Sequence, residues 1–266
     1  MYDNVIVPFD SSLELRAALA PASDLAWRCR AKVVVVNTTP AADEESRLVL
    51  KSQAMSMSGA DVDFWVDLDV DVGDALVDAV RYRSRPIVFV ASRYRRTGLL
   101  GRSRTVIPPP PQVFTDVDVP VVVIGPEADV SRGLNVVEVL VLDDGTAPAE
   151  RALRLAARWG QGLRVDVRVV AVVSASDHDT VARVQGRFAA HMGAAPGASL
   201  EVLASDRPAT TMVAMADRRP DAVIMAGRGE PSGGSPLDPV VAELVATSPR
   251  AVVIVGTDTT DVELGS

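Results

Sequence analysis

The chain predicts a doubly wound α/β protein built twice. Three observations carry that expectation. β-branched runs alternate with Ala/Leu-rich helical stretches, several runs are apolar without alternation, and the landmarks of the first half recur in order in the second. "KVVVVN", "IVFVA" and "VVVIG" are continuous apolar segments, the pattern of parallel strands buried on both faces.

In the first half the strands fall near 4–9, 32–37, 62–68, 86–91 and 120–125. Helices fall near 12–29, 43–58, 73–83 and, briefly, 111–117. "DLDVDVGD" (67–74) superficially resembles a calcium loop, but its glycine is one place late and position twelve is Asp78 rather than Glu. Alternating Asp and Val more simply gives a strand with one wet face, followed by Asp74 in the first turn of a helix.

The second half repeats this grammar. "NVIVPFDSSLELRAALAPASDLAW" is answered by "VEVLVLDDGTAPAERALRLAARW", with Asp10 and Asp143 ending the strands and a Trp near each helix end. "RSRPIVFVASRYRR" is answered by "RRPDAVIMAGRGEP", and "VPVVVIG" by "RAVVIVG". "PEADVSRGLN" is rich in breakers and charge and reads as the linker, giving domains at 1–127 and 134–266.

Bulk properties narrow the function. The chain has 266 residues, 48% of them hydrophobic, so it can bury a sizeable core. A net charge of −8 argues against nucleic acid as the main partner. Cys29 is the single cysteine, which excludes a disulfide framework within the chain and a cysteine-based metal cluster. "MYDNVIVPFD" enters a strand without a basic leader, and no apolar run reaches the length of a membrane span. The expectation is a cytoplasmic protein that does not act on a membrane.

Open parallel sheets bind ligands beyond the carboxyl ends of their strands, where strand order reverses. If the first strand lies between the second and fourth, the first domain offers Asp10, Ser11 and Ser12 facing a loop from Ala91 to Arg104. The second offers Asp143, Asp144 and Gly145 facing the segment from Ala226 to Asp238, with Gly227 and Gly229. A phosphate there needs glycines for close backbone approach and a helix N-terminus with free amides.

The ordered set "VIVPFDSS", "VGDALVDAV", "PDAVIMAGRG" and "VPVVVIG" resembles the universal stress protein family, over essentially the whole chain as two tandem copies. The resemblance implies a flavodoxin-like, five-stranded α/β domain in each copy. It also implies an Asp after strand 1 that meets adenine, and a glycine-rich loop after strand 4 that cradles the phosphates of ATP. That loop has the form Gly, two residues, Gly, nine residues, Gly-Ser. Strand 5 is the pairing edge in that family, so the two copies are expected to form an intramolecular pseudo-dimer, and a homodimer is open.

Both copies depart from this motif. In the first, the loop glycines fall on Ala91 and Tyr94, and the Gly-Ser on Ile107 and Pro108. The prolines of "IPPPPQ" therefore occupy the phosphate-binding turn, and proline has no amide hydrogen to offer an anion. Pro111 alone is well placed, as the first residue of a short helix. In the second copy the glycines fall on Ala226 and Gly229, and the Gly-Ser on Asp238 and Pro239. Asp followed by Pro makes an N-cap and first helical residue, and it puts a carboxylate where a phosphate would sit. Ser232 and Ser235 are further hydroxyls of that loop.

The loop "SRYRRTGLLGRSR" holds Arg93, Arg95, Arg96, Arg102 and Arg104, which reads either as solvated surface or as a site for an anion or acidic partner, flexed at Gly98 and Gly101. His178 and His191 lack the spacing of a helix-borne metal pair, and Cys29 has no placed base. No Ser/His/Asp set or acid/base carboxylate pair stands out. The reading is a non-enzymatic tandem protein of the stress response, acting through a protein partner or small ligand, with no cofactor and its ATP sites lost. The alternatives are ATP or AMP held by the second domain only and, third, an enzyme of the nucleotide-binding hydrolase or transferase type.

Overall fold

The computed structural model describes residues 1–9, 16–37, 48, 52, 61–66, 70–97, 103–107, 109–130, 133–173, 178–193, 195, 197–230 and 235–256. The chain divides into two compact units, Met1–Pro126 with Val130–Leu134, and Glu127–Asp129 with Asn135–Ser266. Asp10, Ser11, Ser12, Gly98, Gly101, Arg102, Pro108, Ser232 and the helix expected at 43–58, apart from residues 48 and 52, lie outside the described residues.

The first unit contains β1 (Asn4–Phe9), α1 (Arg16–Cys29), β2 (Lys32–Asn37), β3 (Val62–Val66), α2 (Val72–Arg81) and β4 (Pro86–Ala91). It continues with β5 (Arg93–Thr97), β6 (Ser103–Ile107), α3 (Gln112–Thr115) and β7 (Val121–Ile124). Its main sheet is parallel in the order β7-β4-β1-β2-β3, so β1 lies between β2 and β4 as anticipated. Val5, Ile6, Val33, Val34, Ile87, Val88, Phe89 and Val122 are buried, which explains why these strands read as unbroken apolar runs. Each such side chain contributes roughly 1.5–3 kcal/mol on burial. α2 starts where expected: Asp71 caps it by accepting from the Gly73 amide at 2.8 Å, and Asp74 sits in its first turn.

The second unit contains β8 (Glu138–Asp143), α4 (Ala147–Leu163), β9 (Asp166–Val173), α5 (His178–Met192), β10 (Ser199–Ala204) and α6 (Pro208–Asp217). It ends with β11 (Ala222–Gly227), α7 (Pro239–Thr247) and β12 (Val252–Val255). The parallel order is β10-β9-β8-β11-β12, the same winding as in the first unit.

The repeat is exact in register through its first β-α-β segment. Asn4 pairs with Lys32, and Glu138 pairs with Asp166. Between these strands, α1 ends on Arg30 and α4 on Arg164, both left-handed at φ 55°. Counting back from these caps corrects the sequence reading of the tryptophans. Trp159, fully buried, stands where Leu25 stands, whereas Trp27, 66% exposed, stands where Gln161 stands. The two residues lie on different helix faces and are not equivalents.

A left-handed backbone costs a non-glycine residue roughly 1–2 kcal/mol. Arg164 is exposed, so nothing in the core depends on its side chain. Glycine's greater freedom in the unfolded chain offsets part of the gain. Replacing Arg164 with Gly is therefore expected to stabilise the second unit by about 0.5–1 kcal/mol. A differential scanning measurement should show its melting temperature rising by a few degrees, and a fall would contradict this account.

Candidate functional site

The reversal of strand order in the second unit lies between β8 and β11, and a crevice opens at their carboxyl ends. Leu142, Asp144, Thr146, Gly227, Gly229 and Asp238 are among its walls. Of the residues singled out from sequence, Asp144 on the β8–α4 turn and Gly227, Gly229 and Asp238 on the β11–α7 segment line this crevice. Its space for water-sized solvent is about 40 Å³. That is room for a few waters, against roughly 300 Å³ or more for an ordinary small-molecule pocket.

The β8–α4 turn builds itself from its own polar groups. Asp143, with no exposed surface, accepts from the Gly145 amide at 3.0 Å through Oδ1. Gly145 has a φ of 86°, which glycine adopts without penalty. Asp144 accepts from the amide and hydroxyl of Thr146 at 2.9 and 2.6 Å. Thr146 in turn caps α4, accepting from the Ala149 amide at 3.4 Å.

The roof of this turn comes from a distant element and was missed in the sequence reading. Arg187, from α5, donates through Nη2 to Asp143 Oδ1 and through Nη1 to the Thr146 carbonyl at 3.0 Å. A Cβ added to Gly145 would come within 3.7 Å of both Arg183 and Arg187. One helix face thus presents Arg183, Arg187 and, one turn further, His191, whose Nε2 lies 3.2 Å from Glu150 Oε1 on α4. His191 is thereby placed against α4 rather than left as a plain surface histidine. Burial pushes the Asp143 carboxyl above its usual range, and the Gly145 amide and Arg187 pull against that rise. Asp143 Oδ2 and Arg187 Nε are buried without a protein partner.

The opposite wall is also self-satisfied. Asp238 caps α7 as the Asp-Pro pair predicts, accepting from the Val240 amide at 2.8 Å with Pro239 as first helical residue. The Asp238 amide donates to the Arg228 carbonyl at 3.2 Å, closing the loop on itself. Gly229, at φ 69°, has Asp238 Cβ only 2.4 Å from where its own Cβ would be. Gly227 faces the backbone of Pro148, 2.2 Å from a hypothetical Cβ. Both glycines thus serve close packing within the fold.

In the first unit, the expected loop from Ala91 to Arg104 is largely an antiparallel hairpin. β5 pairs with β6, with Arg93 opposite Ile107, Tyr94 opposite Val106, Arg95 opposite Thr105 and Arg96 opposite Arg104. The β-rich stretches "RYRRT" and "SRTVI" on either side of a glycine-bearing connection were the missed signal. Beyond β6, the prolines act as acceptors: Pro110 O takes the Val113 amide, and Pro111 O takes those of Phe114 and Thr115. Pro111 has helical φ and ψ of −56° and −35° and caps α3. The proline run starts a short helix while offering no amide to an anion.

Among the described residues, no cluster of His, Cys, Asp and Glu could hold a metal ion, and no helix is long and apolar enough to cross a membrane. Burial pushes the Cys29 thiol up, which disfavours the thiolate.

No family model matches this chain, and no curated protein matches it by sequence. Solved structures do match. A universal stress protein from Archaeoglobus fulgidus is 18% identical, with a TM-score of 0.70 over 97% of each chain. A protein of unknown function from Pseudomonas aeruginosa PAO1 is 12% identical, with a TM-score of 0.65 over 97% of this chain and 93% of the other. A putative universal stress protein from Pseudomonas aeruginosa UCBPP-PA14 is 13% identical, with a TM-score of 0.64 over 96% and 93%. The resemblance seen in the sequence therefore holds in three dimensions: this chain has the universal stress protein fold.

Proposed function

We propose that this chain is a non-enzymatic, tandem universal-stress-type protein that acts in the stress response by binding a partner or small ligand, its nucleotide sites having been lost. One observation carries the reading. In the second unit the groups that would receive a nucleotide are already engaged by the chain itself. Asp143 is taken by Arg187, the Val240 amide in the first turn of α7 by Asp238, and the open sides of Gly227 and Gly229 by Pro148 and Asp238. In the first unit, Pro110 and Pro111 stand at the phosphate turn without amide hydrogens. The arginine-bearing hairpin β5–β6 is the candidate contact for an acidic partner.

A second reading keeps ATP or AMP in the second unit alone. It is favoured by Asp143 Oδ2, a buried acceptor with no protein donor. The two readings separate on the purified full-length protein, by absorbance ratio and mass spectrometry of any co-purified nucleotide. The lost-site reading expects no nucleotide held by the second unit, and saturable micromolar ATP binding that Asp143→Asn abolishes would overturn it. The paired change Asp238→Gly and Ala226→Gly removes the carboxylate and restores a loop glycine. It should raise ATP affinity at least about tenfold, the order of one hydrogen-bonded charge. An unchanged affinity would show that the crevice is closed by something else.

A further inference from the structure

A groove with space for about 610 Å³ of water-sized solvent lies in the first unit, beside the amino ends of β2 and β3. It sits where α1 ends and β2 and β3 begin, and is lined by Trp27, Arg28, Arg30, Ala31, Lys32 and Asp61, with Ala26 at its base. That volume falls within the roughly 300–1,000 Å³ of ordinary ligand pockets.

The repeat supplies an internal control. The same β-α-β segment in the second unit, matched in register and ended by the same left-handed arginine, carries Gln161, Gly162 and Asp166 where the first carries Trp27, Arg28 and Lys32. The scaffold therefore requires neither the indole nor the lysine at these positions. Trp27 is 66% exposed, so its indole face is accessible from the groove. Three cations line the groove against one carboxylate, on a chain of net charge −8. Asp61 lies 3.5 Å from Lys32, but both are well exposed, so this pair neutralises little.

An accessible indole offers a planar face for stacking, and flanking guanidinium and ammonium groups take phosphate or carboxylate. We propose that this groove binds a small anion bearing a planar aromatic ring, with the ring on Trp27 and the anionic group held by Arg30 and Lys32. The site is separate from the crevice of the second unit and does not depend on whether that crevice holds nucleotide.

The test is calorimetry on the full chain with four probes: AMP, indole-3-acetate, adenosine (a ring without the charge) and inorganic phosphate (the charge without a ring). AMP or indole-3-acetate should bind saturably, and at least tenfold more tightly than adenosine and phosphate. Binding of AMP alone would assign a phosphate ligand, and binding of indole-3-acetate alone a carboxylate. Trp27→Gln, which installs the second unit's residue, should weaken binding at least tenfold without changing the melting temperature. Arg30→Gln with Lys32→Gln should remove the preference for AMP over adenosine and flatten the dependence on salt. The proposal is overturned if neither anion binds, if Trp27→Gln binds normally, or if Asp143→Asn abolishes binding while Trp27→Gln retains it.

Discussion

Gly227→Ala should destabilise the second unit severely, by about 3 kcal/mol or more, the upper end of overpacking penalties. A Cβ at this position would sit 2.2 Å from the carbonyl carbon of Pro148, 2.3 Å from its oxygen and 2.6 Å from its Cβ. The first two are backbone atoms, and a methyl group has no rotamer to escape into. The only relief is to lift the first turn of α4 off the end of β11. That movement drags on a helix that buries Ala149, Ala152, Leu153, Ala156 and Trp159. Urea denaturation should show a lowered midpoint, with the emission of Trp159 reporting earlier exposure. Gly186, on α5, provides the matched control, since nothing lies within 4 Å of its hypothetical Cβ. Gly186→Ala should stabilise by about 0.5–1 kcal/mol, the helix-propensity difference. A fully stable Gly227→Ala protein would mean that the glycine serves something other than packing.

That expectation also marks what a sequence can disclose about this molecule. Unbroken apolar strands, helical periods and repeated landmarks made the winding of both units legible, because each is a local pattern with one structural solution. The Asp238-Pro239 cap was legible for the same reason. Gly227 was visible as a glycine at a crevice, but its partner Pro148 is brought to it only by the pairing of β8 with β11. The similar tryptophans misled, since a helix position is fixed by its distance from the cap rather than by residue type. Trp27 and Trp159 differ by two places on that scale, enough to turn one outward and one inward. Arg187 could have been suspected from Arg183, Arg187 and His191 recurring every four residues. Its target lies 44 residues away on the neighbouring strand's turn and needed the fold to find it.

Removing Arg187 should be as damaging as the glycine change, but with a different dependence on pH. Asp143 is wholly buried, and Arg187 is its charged partner in a largely buried pair. Loss of one member of such a pair costs about 3–5 kcal/mol, most of it the burden of a buried charge left alone. Arg187→Ala should lower the urea midpoint at pH 7 accordingly. The carboxyl also has Asp144 nearby, which pushes its pKa further up, and Arg183 over the same turn. Because burial already holds Asp143 above the usual carboxylate range, the folded state takes up its proton before the unfolded state does. This group's contribution to stability is therefore largest below the unfolded carboxylate pKa, near 4, and declines as pH rises through the raised folded value. Without Arg187 the folded value rises again, so acidification should relieve the variant more than the parent. The stability difference between them should be smaller at pH 5 than at pH 7. Replacing both partners, Asp143→Leu with Arg187→Met, removes the charge instead of stranding it and should recover most of the loss. A gap between parent and Arg187→Ala that is the same at both pH values would show that the damage comes from lost packing of the arginine, not from the stranded carboxylate.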